Sequence, residues 1–192
     1  MRPFMKKFLL VLMLSLSLTL LSACSNPLED ALTTLSERDV YAFTYEIEME
    51  NYTIDSVYKR DGDKSYYSFD GDEMYQETTE TKTVRITRNQ AARWQRETLA
   101  EHDHLIPEDT VILNPILLET SMFEKEDEEG TYHLKESEYE TVFGDKAETI
   151  QSFTFDPESD PLTFTYTFTH EGTLVPVKVE VTYDDVSVSL PI

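Results

Sequence analysis

The chain has 192 residues, 40% hydrophobic and 11% aromatic, with 38 acidic and 16 basic side chains and a formal net charge of -22. That length predicts one domain, and the apolar content supports a core and argues against a disordered acidic tail. The acidic balance argues against nucleic acid as a partner, five Gly nearly exclude a glycine-rich phosphate loop, and one Cys excludes an internal disulfide and a Cys-cluster metal site.

Arg2, Lys6 and Lys7 precede an apolar run over 8–21 that only Ser and Thr interrupt. A run of that length behind a basic start reads as a secretory signal, and it is short for a membrane span of about 20 residues. It ends in Leu21-Ser22-Ala23-Cys24, which contains the single Cys. These residues resemble the bacterial lipobox, in which a Leu and two small residues precede the modified Cys. The resemblance implies that 1–23 are a lipoprotein signal peptide, that Cys24 is lipidated with diacylglycerol, and that 24–26 form a tether. The partner it implies is the membrane, reached through an N-terminal lipid anchor on the extracytoplasmic face of the bacterial cell. Two acyl chains suffice for a firm anchor. The alternative is an ordinary secretory signal with an incidental Cys. Ser25 is compatible with sorting to an outer membrane or with the outer leaflet of a single one. A lipidated Cys24 leaves no thiol for catalysis.

Without 1–23 the chain keeps 13 basic and all 38 acidic residues, a charge of -25. Such a body is soluble and is repelled by anionic headgroups and polyanionic wall polymers while the anchor holds it nearby. Adaptation to a salty or alkaline habitat explains the charge equally well.

Residues 27–192 read as a single β-rich domain. Asn26 as cap, Pro27 in the first turn, and Leu28, Ala31, Leu32 and Leu35 on one stripe predict a helix over 27–37. From 40 the period becomes two: Tyr41, Phe43, Tyr45, Ile47 and Met49 alternate with small or acidic residues. Strands over 52–60, 65–70, 73–80 and 82–88 follow, with hairpin turns at Asp61-Gly62 and Asp70-Gly71. The segment 89–104 reads as a helix or as a turn and a strand carrying Trp94, and the second is favoured. Asn114-Pro115 opens a short helix to about 122, a hairpin bent at Gly130 spans 123–135, and 137–152 has helical character around Tyr139, Val142, Ala147 and Ile150. Leu162, Phe164, Tyr166 and Phe168 line one strand, and Val175, Val177, Val179, Val181 and Tyr183 the next. Val186, Val188 and Leu190 line a last short one. The expected class is α+β, a curved antiparallel sheet or incomplete β-barrel with a few short helices packed over one face.

This order, ending in the segment 177–191, is similar to the lipoprotein-carrier superfamily (LolA/LolB/LppX-like), whose closing hairpin the segment resembles. The resemblance implies an incomplete barrel with helices over its mouth, holding lipid or lipoprotein acyl chains in an apolar concavity. Soluble members lack an anchor, so the lipidated branches are the nearer analogy. The expected pocket lining is Phe43, Tyr45, Ile47, Phe164, Tyr166, Phe168, Val177 and Val179, with Leu117 and Leu118 as a lid. A filled core would use the same side chains, and alternation alone does not separate the two.

The chain contains no G-x-S-x-G, H-E-x-x-H or P-loop pattern, so no catalytic residue is assigned. His102 and His104 would face one side of an extended segment, but an exposed polar loop explains them better than a metal site. The acidic run from Glu124 to Glu129 and the Asp-Gly-Asp turns at 61–63 and 70–72 suit calcium poorly. Trp94 with the 11 Tyr could stack sugars, although sheets use Tyr routinely. No cofactor and no metal are expected. The reading is therefore a non-enzymatic, membrane-anchored lipoprotein with a carrier-like domain for a lipid or other apolar ligand. The alternative is an interaction or sensor module that meets an envelope protein, and an enzyme acting on surface polymers ranks third.

Overall fold

The computed structural model describes residues 26–79, 82–88, 93–99, 112–125 and 130–191. Cys24 with the segment expected to be a signal peptide, the His102/His104 pair and most of the acidic run at 126–129 lie outside the described residues.

Helix α1 (Pro27–Glu37) starts where its local chemistry directs. Asn26 Oδ1 accepts a hydrogen bond from the Leu28 amide at 3.2 Å, Pro27 occupies the first turn, and Glu29 and Asp30 sit at the positive end of the dipole. Leu28, Leu32 and Leu35 are buried, and Ala31 packs beside them. The same Asn26 oxygen accepts from the Tyr132 hydroxyl at 3.2 Å, which ties the helix entry to a distant strand. Asn26→Ala is therefore expected to cost about 1–2 kcal/mol. This corresponds to a Tm lower by about 2–8 °C in thermal melts, and Asn26→Asp should recover most of the loss.

Among the described residues eleven strands form one sheet. They are β1 (Val40–Glu48), β2 (Thr53–Asp61), β3 (Lys64–Phe69), β4 (Asp72–Thr79), β5 (Lys82–Arg88), β6 (Trp94–Leu99), β7 (Phe123–Lys125), β8 (Tyr132–Leu134), β9 (Ile150–Asp156), β10 (Leu162–His170) and β11 (Thr173–Thr182). The order is β6-β5-β4-β3-β2-β1-β11-β10-β9-β8-β7, with antiparallel pairing throughout. Two meanders thus meet where β1 pairs with β11, and the sheet stays open between β6 and β7. The turns at Asp70-Gly71 and Glu171-Gly172 have positive φ at both central residues, the backbone whose twist matches a tight hairpin.

One face of the central strands is apolar. Tyr41, Phe43, Tyr45 and Ile47 of β1 point the same way as Val175, Val177, Val179 and Val181 of β11 and Phe164, Tyr166 and Phe168 of β10, and all are buried. The cover over this inner face consists of α1, the segment around Ile112 and Leu113, and a five-residue helix α2 (Tyr139–Phe143) whose Phe143 packs on Phe153 and Tyr166. The α+β class holds in this form: a mostly antiparallel open sheet with two short helices.

Three sequence expectations are corrected. The helix expected over 137–152 ends at Phe143, because Gly144 turns the chain with a φ of +54°. A 3-10 stretch (Gly144–Thr149) follows, and Ile150 opens strand β9, which pairs with β8 and β10 and buries Phe153 and Phe155. The helix expected from Asn114 to about 122 is two 3-10 turns, Pro115–Leu117 and Thr120–Met122, the first capped by the Asn114 side chain. The strand expected over 186–190 does not form. Both edges of β11 are already paired, with β1 and with β10, so the alternation of Val186, Val188 and Leu190 has no ladder to join. Val188 is instead buried against the sheet end, its amide donating to Asp61 Oδ2 at 3.3 Å.

Candidate functional site

The register divides the inner face into transverse rows. One row runs Ser56–Tyr45–Val179–Phe164–Phe155 across β2, β1, β11, β10 and β9. Every member is inaccessible to solvent, so this row is core. Phe155 and Phe164 stack with ring centroids 4.2 Å apart and planes at 11°. The next row runs Ile54–Ile47–Val177–Tyr166–Phe153, and here the cover thins. A cleft of about 490 Å³ opens over its first four members, within the size range of small-molecule sites.

Met49, Tyr52, Phe69, Ile112 and Phe168 complete the apolar wall, and Lys146, Thr149, Thr169 and His170 form the polar rim. Tyr166 marks the boundary between core and cleft. Its hydroxyl accepts from the Leu113 amide at 3.4 Å, and the Tyr45 hydroxyl donates to the Leu113 carbonyl at 2.8 Å. One residue of the covering segment is thereby fixed to two strands through both of its backbone polar groups. Burial pushes both phenols well above their ordinary range, with the Tyr166–Tyr45 proximity adding to the shift at Tyr45 and the Leu113 amide opposing it at Tyr166. Both are therefore neutral donors or acceptors at any physiological pH.

Of the ten positions read from the sequence as a lining, Ile47, Tyr166, Phe168 and Val177 line this cleft. Phe43, Tyr45, Phe164 and Val179 are sealed in the filled core. Leu118 is buried and Leu117 half exposed, and the 3-10 turn holding Leu117 packs against α1, away from a lid position over the cleft. Sequence reasoning missed Met49, Ile54 and Phe69, although each is in phase with an inward neighbour (Ile47, Ser56 and Tyr67). It also missed Lys146 and His170, because nothing local marks a rim residue.

A second cleft, of about 560 Å³, lies between the start of α1 and the β9–β10 turn, and its ionisable rim is Asp30, Asp160, Tyr183 and Asp184. Arg38 lies over the Tyr183 ring at 4.9 Å. Among the described residues no group of three or more His, Cys, Asp or Glu could hold a metal ion, and no helix is long and apolar enough to cross a membrane.

Charge is unevenly spread along the chain. Residues 53–99, which contain β2 to β6, hold eight basic and nine acidic side chains, whereas the remainder from 24 onward holds five and 29. On the outer face of this near-neutral wing Tyr66, Tyr75 and Trp94 form a ladder, with centroids 4.7 and 5.6 Å apart. Arg88 reaches over the Trp94 ring at 5.8 Å and bonds Glu73 at 3.3 Å. Trp94 thus has its ring engaged by Tyr75 and Arg88 and offers a poorer platform for sugar stacking than an open face would.

Compared with protein-family models and with curated proteins, the chain matches none.

Proposed function

We propose that the protein is a non-enzymatic lipoprotein, anchored through Cys24 to the extracytoplasmic face of the cell membrane, whose domain is a carrier-like module for an apolar ligand. The cleft over Ile54, Ile47, Val177 and Tyr166 carries this reading. It supports a curved, incomplete barrel in which α1, the segment around Leu113 and α2 cover one part of the inner face and leave the other accessible. A ligand there would gain about 25 cal/mol for each Å² of apolar surface it removes from water. The lipobox supports the anchor, and the high negative charge of the body keeps it off the lipid surface that the anchor grips.

The full chain, purified from its membrane, is expected to release a non-covalent lipid on solvent extraction, detected by mass spectrometry. Cys24→Ala is expected to move the protein to the soluble fraction and abolish incorporation of a labelled fatty acid. An empty extract together with no binding of any apolar probe would remove the carrier reading, and an unmodified thiol at Cys24 in the native protein would remove the anchor.

The near-neutral wing favours a second reading. A face carrying Tyr66, Tyr75, Trp94 and Arg88 on an otherwise strongly acidic body suits contact with an envelope protein. Crosslinking from Trp94 in intact cells that captures one defined protein would favour this interaction module over the carrier.

A further inference from the structure

The two clefts differ in the ionisable groups at their rims. Among the described residues no carboxylate lines the 490 Å³ cleft, in a chain with 38 acidic residues, and its charged or chargeable rim residues, the phenols aside, are Lys146 and His170. The other cleft has three aspartates at its rim and, among the described lining residues, no basic one, although Arg38 lies over the ring of its Tyr183. Asp145, Glu148 and Glu171 neighbour the two basic residues in sequence, but all three are exposed and none belongs to the lining. Neither Lys146 nor His170 forms an ion pair with any described residue.

The two come from separate elements. Lys146 stands on the 3-10 stretch before β9, where the Thr149 hydroxyl donates to its carbonyl at 2.7 Å and fixes the local turn. His170 ends β10, two residues beyond Phe168 of the apolar wall. Both basic side chains stand at the mouth of an apolar cleft whose described lining holds no carboxylate.

We infer that the cleft selects a single-chain amphiphile with an anionic head, a fatty-acid carboxylate or a comparable acidic lipid. The tail lies on Ile47, Ile54, Val177 and Phe168, and the head meets Lys146 and His170. Charge and hydrogen-bond complementarity carry this assignment, because a neutral lipid would leave Lys146 without a counter-charge, a cationic one would be repelled by it, and an anionic head can also accept from the His170 ring. The inference rests on the apolar-ligand reading and adds the chemistry of the head.

The test uses the full chain carrying Cys24→Ser, so that no covalent lipid competes, and two fluorescent probes that share one tail: cis-parinaric acid and its methyl ester. The acid is expected to bind at least tenfold tighter than the ester. In the Lys146→Gln, His170→Gln double variant the acid is expected to weaken about tenfold while the ester is unchanged, which also shows that the cleft remains folded. Equal affinity for acid and ester, or a double variant that weakens both alike, would overturn the anionic head and leave the apolar-ligand reading in place. Binding of neither probe would overturn both.

Discussion

Phe164→Ala is expected to remove about 3–5 kcal/mol of stability, a large share of the 5–15 kcal/mol typical of a domain this size. Phe164 is fully buried at the centre of β10, stacked on Phe155 and packed near Phe153, with Val179 beside it across the ladder. Its neighbours are held by strands paired on both sides, so the space left by the ring cannot collapse and the cavity penalty adds to the lost transfer energy. Phe168→Ala, two residues further along the same strand face, provides the contrast. Phe168 borders the cleft, where one side of the ring already faces accessible space, and its removal widens an opening that exists. It is expected to cost about 2 kcal/mol less than Phe164→Ala. Urea unfolding of both variants, followed by far-UV circular dichroism, measures the difference. Equal costs would mean that the two rows are packed alike and that the cleft is not a distinct site.

That contrast also marks what the sequence could and could not reveal. The facing of each residue was legible: alternation in β1, β10 and β11 identified the inward side chains from Phe43 to Val181, and the Asp-Gly pairs located two of the hairpin turns. Row membership was not legible, because it depends on register. Phe164 and Tyr166 are equivalent in a list of alternating aromatics, yet pairing places one beside Val179 under the cover and the other beside Val177 at its edge. Strand β9 was hidden for a related reason. Its Phe153 and Phe155 alternate over too few residues to stand out against the helical spacing before them, and the pairing with β8 and β10 decides the conformation. The segment 186–190 shows the converse, a clean alternation that follows β11, a strand whose two edges are both already paired. The rim was the least legible part. Lys146 and His170 belong to the second meander and Ile47 and Phe69 to the first, so they share one cleft only because β1 pairs with β11.

Stability is expected to be insensitive to the buried tyrosines up to about pH 10 and to fall steeply above it. Burial raises the phenols of Tyr41, Tyr45, Tyr67 and Tyr166 above the value near 10 that they take in the unfolded chain. Arg60 partly opposes the shift at Tyr41, and the Ser56 hydroxyl partly opposes it at Tyr67. Below the unfolded value every phenol is protonated in both states, so their contribution is complete. As pH rises past that value the unfolded chain releases protons that the folded chain retains, and stability declines until the raised folded values are reached. Each such tyrosine contributes a slope of about 1.4 kcal/mol per pH unit, so Tyr45 and Tyr166 alone supply about 3 kcal/mol per unit. Base unfolding should therefore be sharp, with part of the tyrosinate absorbance of the 11 Tyr appearing only as secondary structure is lost. Tyr45→Phe separates the two roles of that side chain. At neutral pH it leaves the buried Leu113 carbonyl without its donor and is expected to cost about 1–3 kcal/mol. Above pH 10 it removes one titrating phenol and flattens the decline by about 1.4 kcal/mol per unit, so the variant and the parent should converge as pH rises. Parallel stability curves for the two proteins, or complete tyrosine ionisation while the fold persists, would show that the covering segment is not clamped over these phenols in solution.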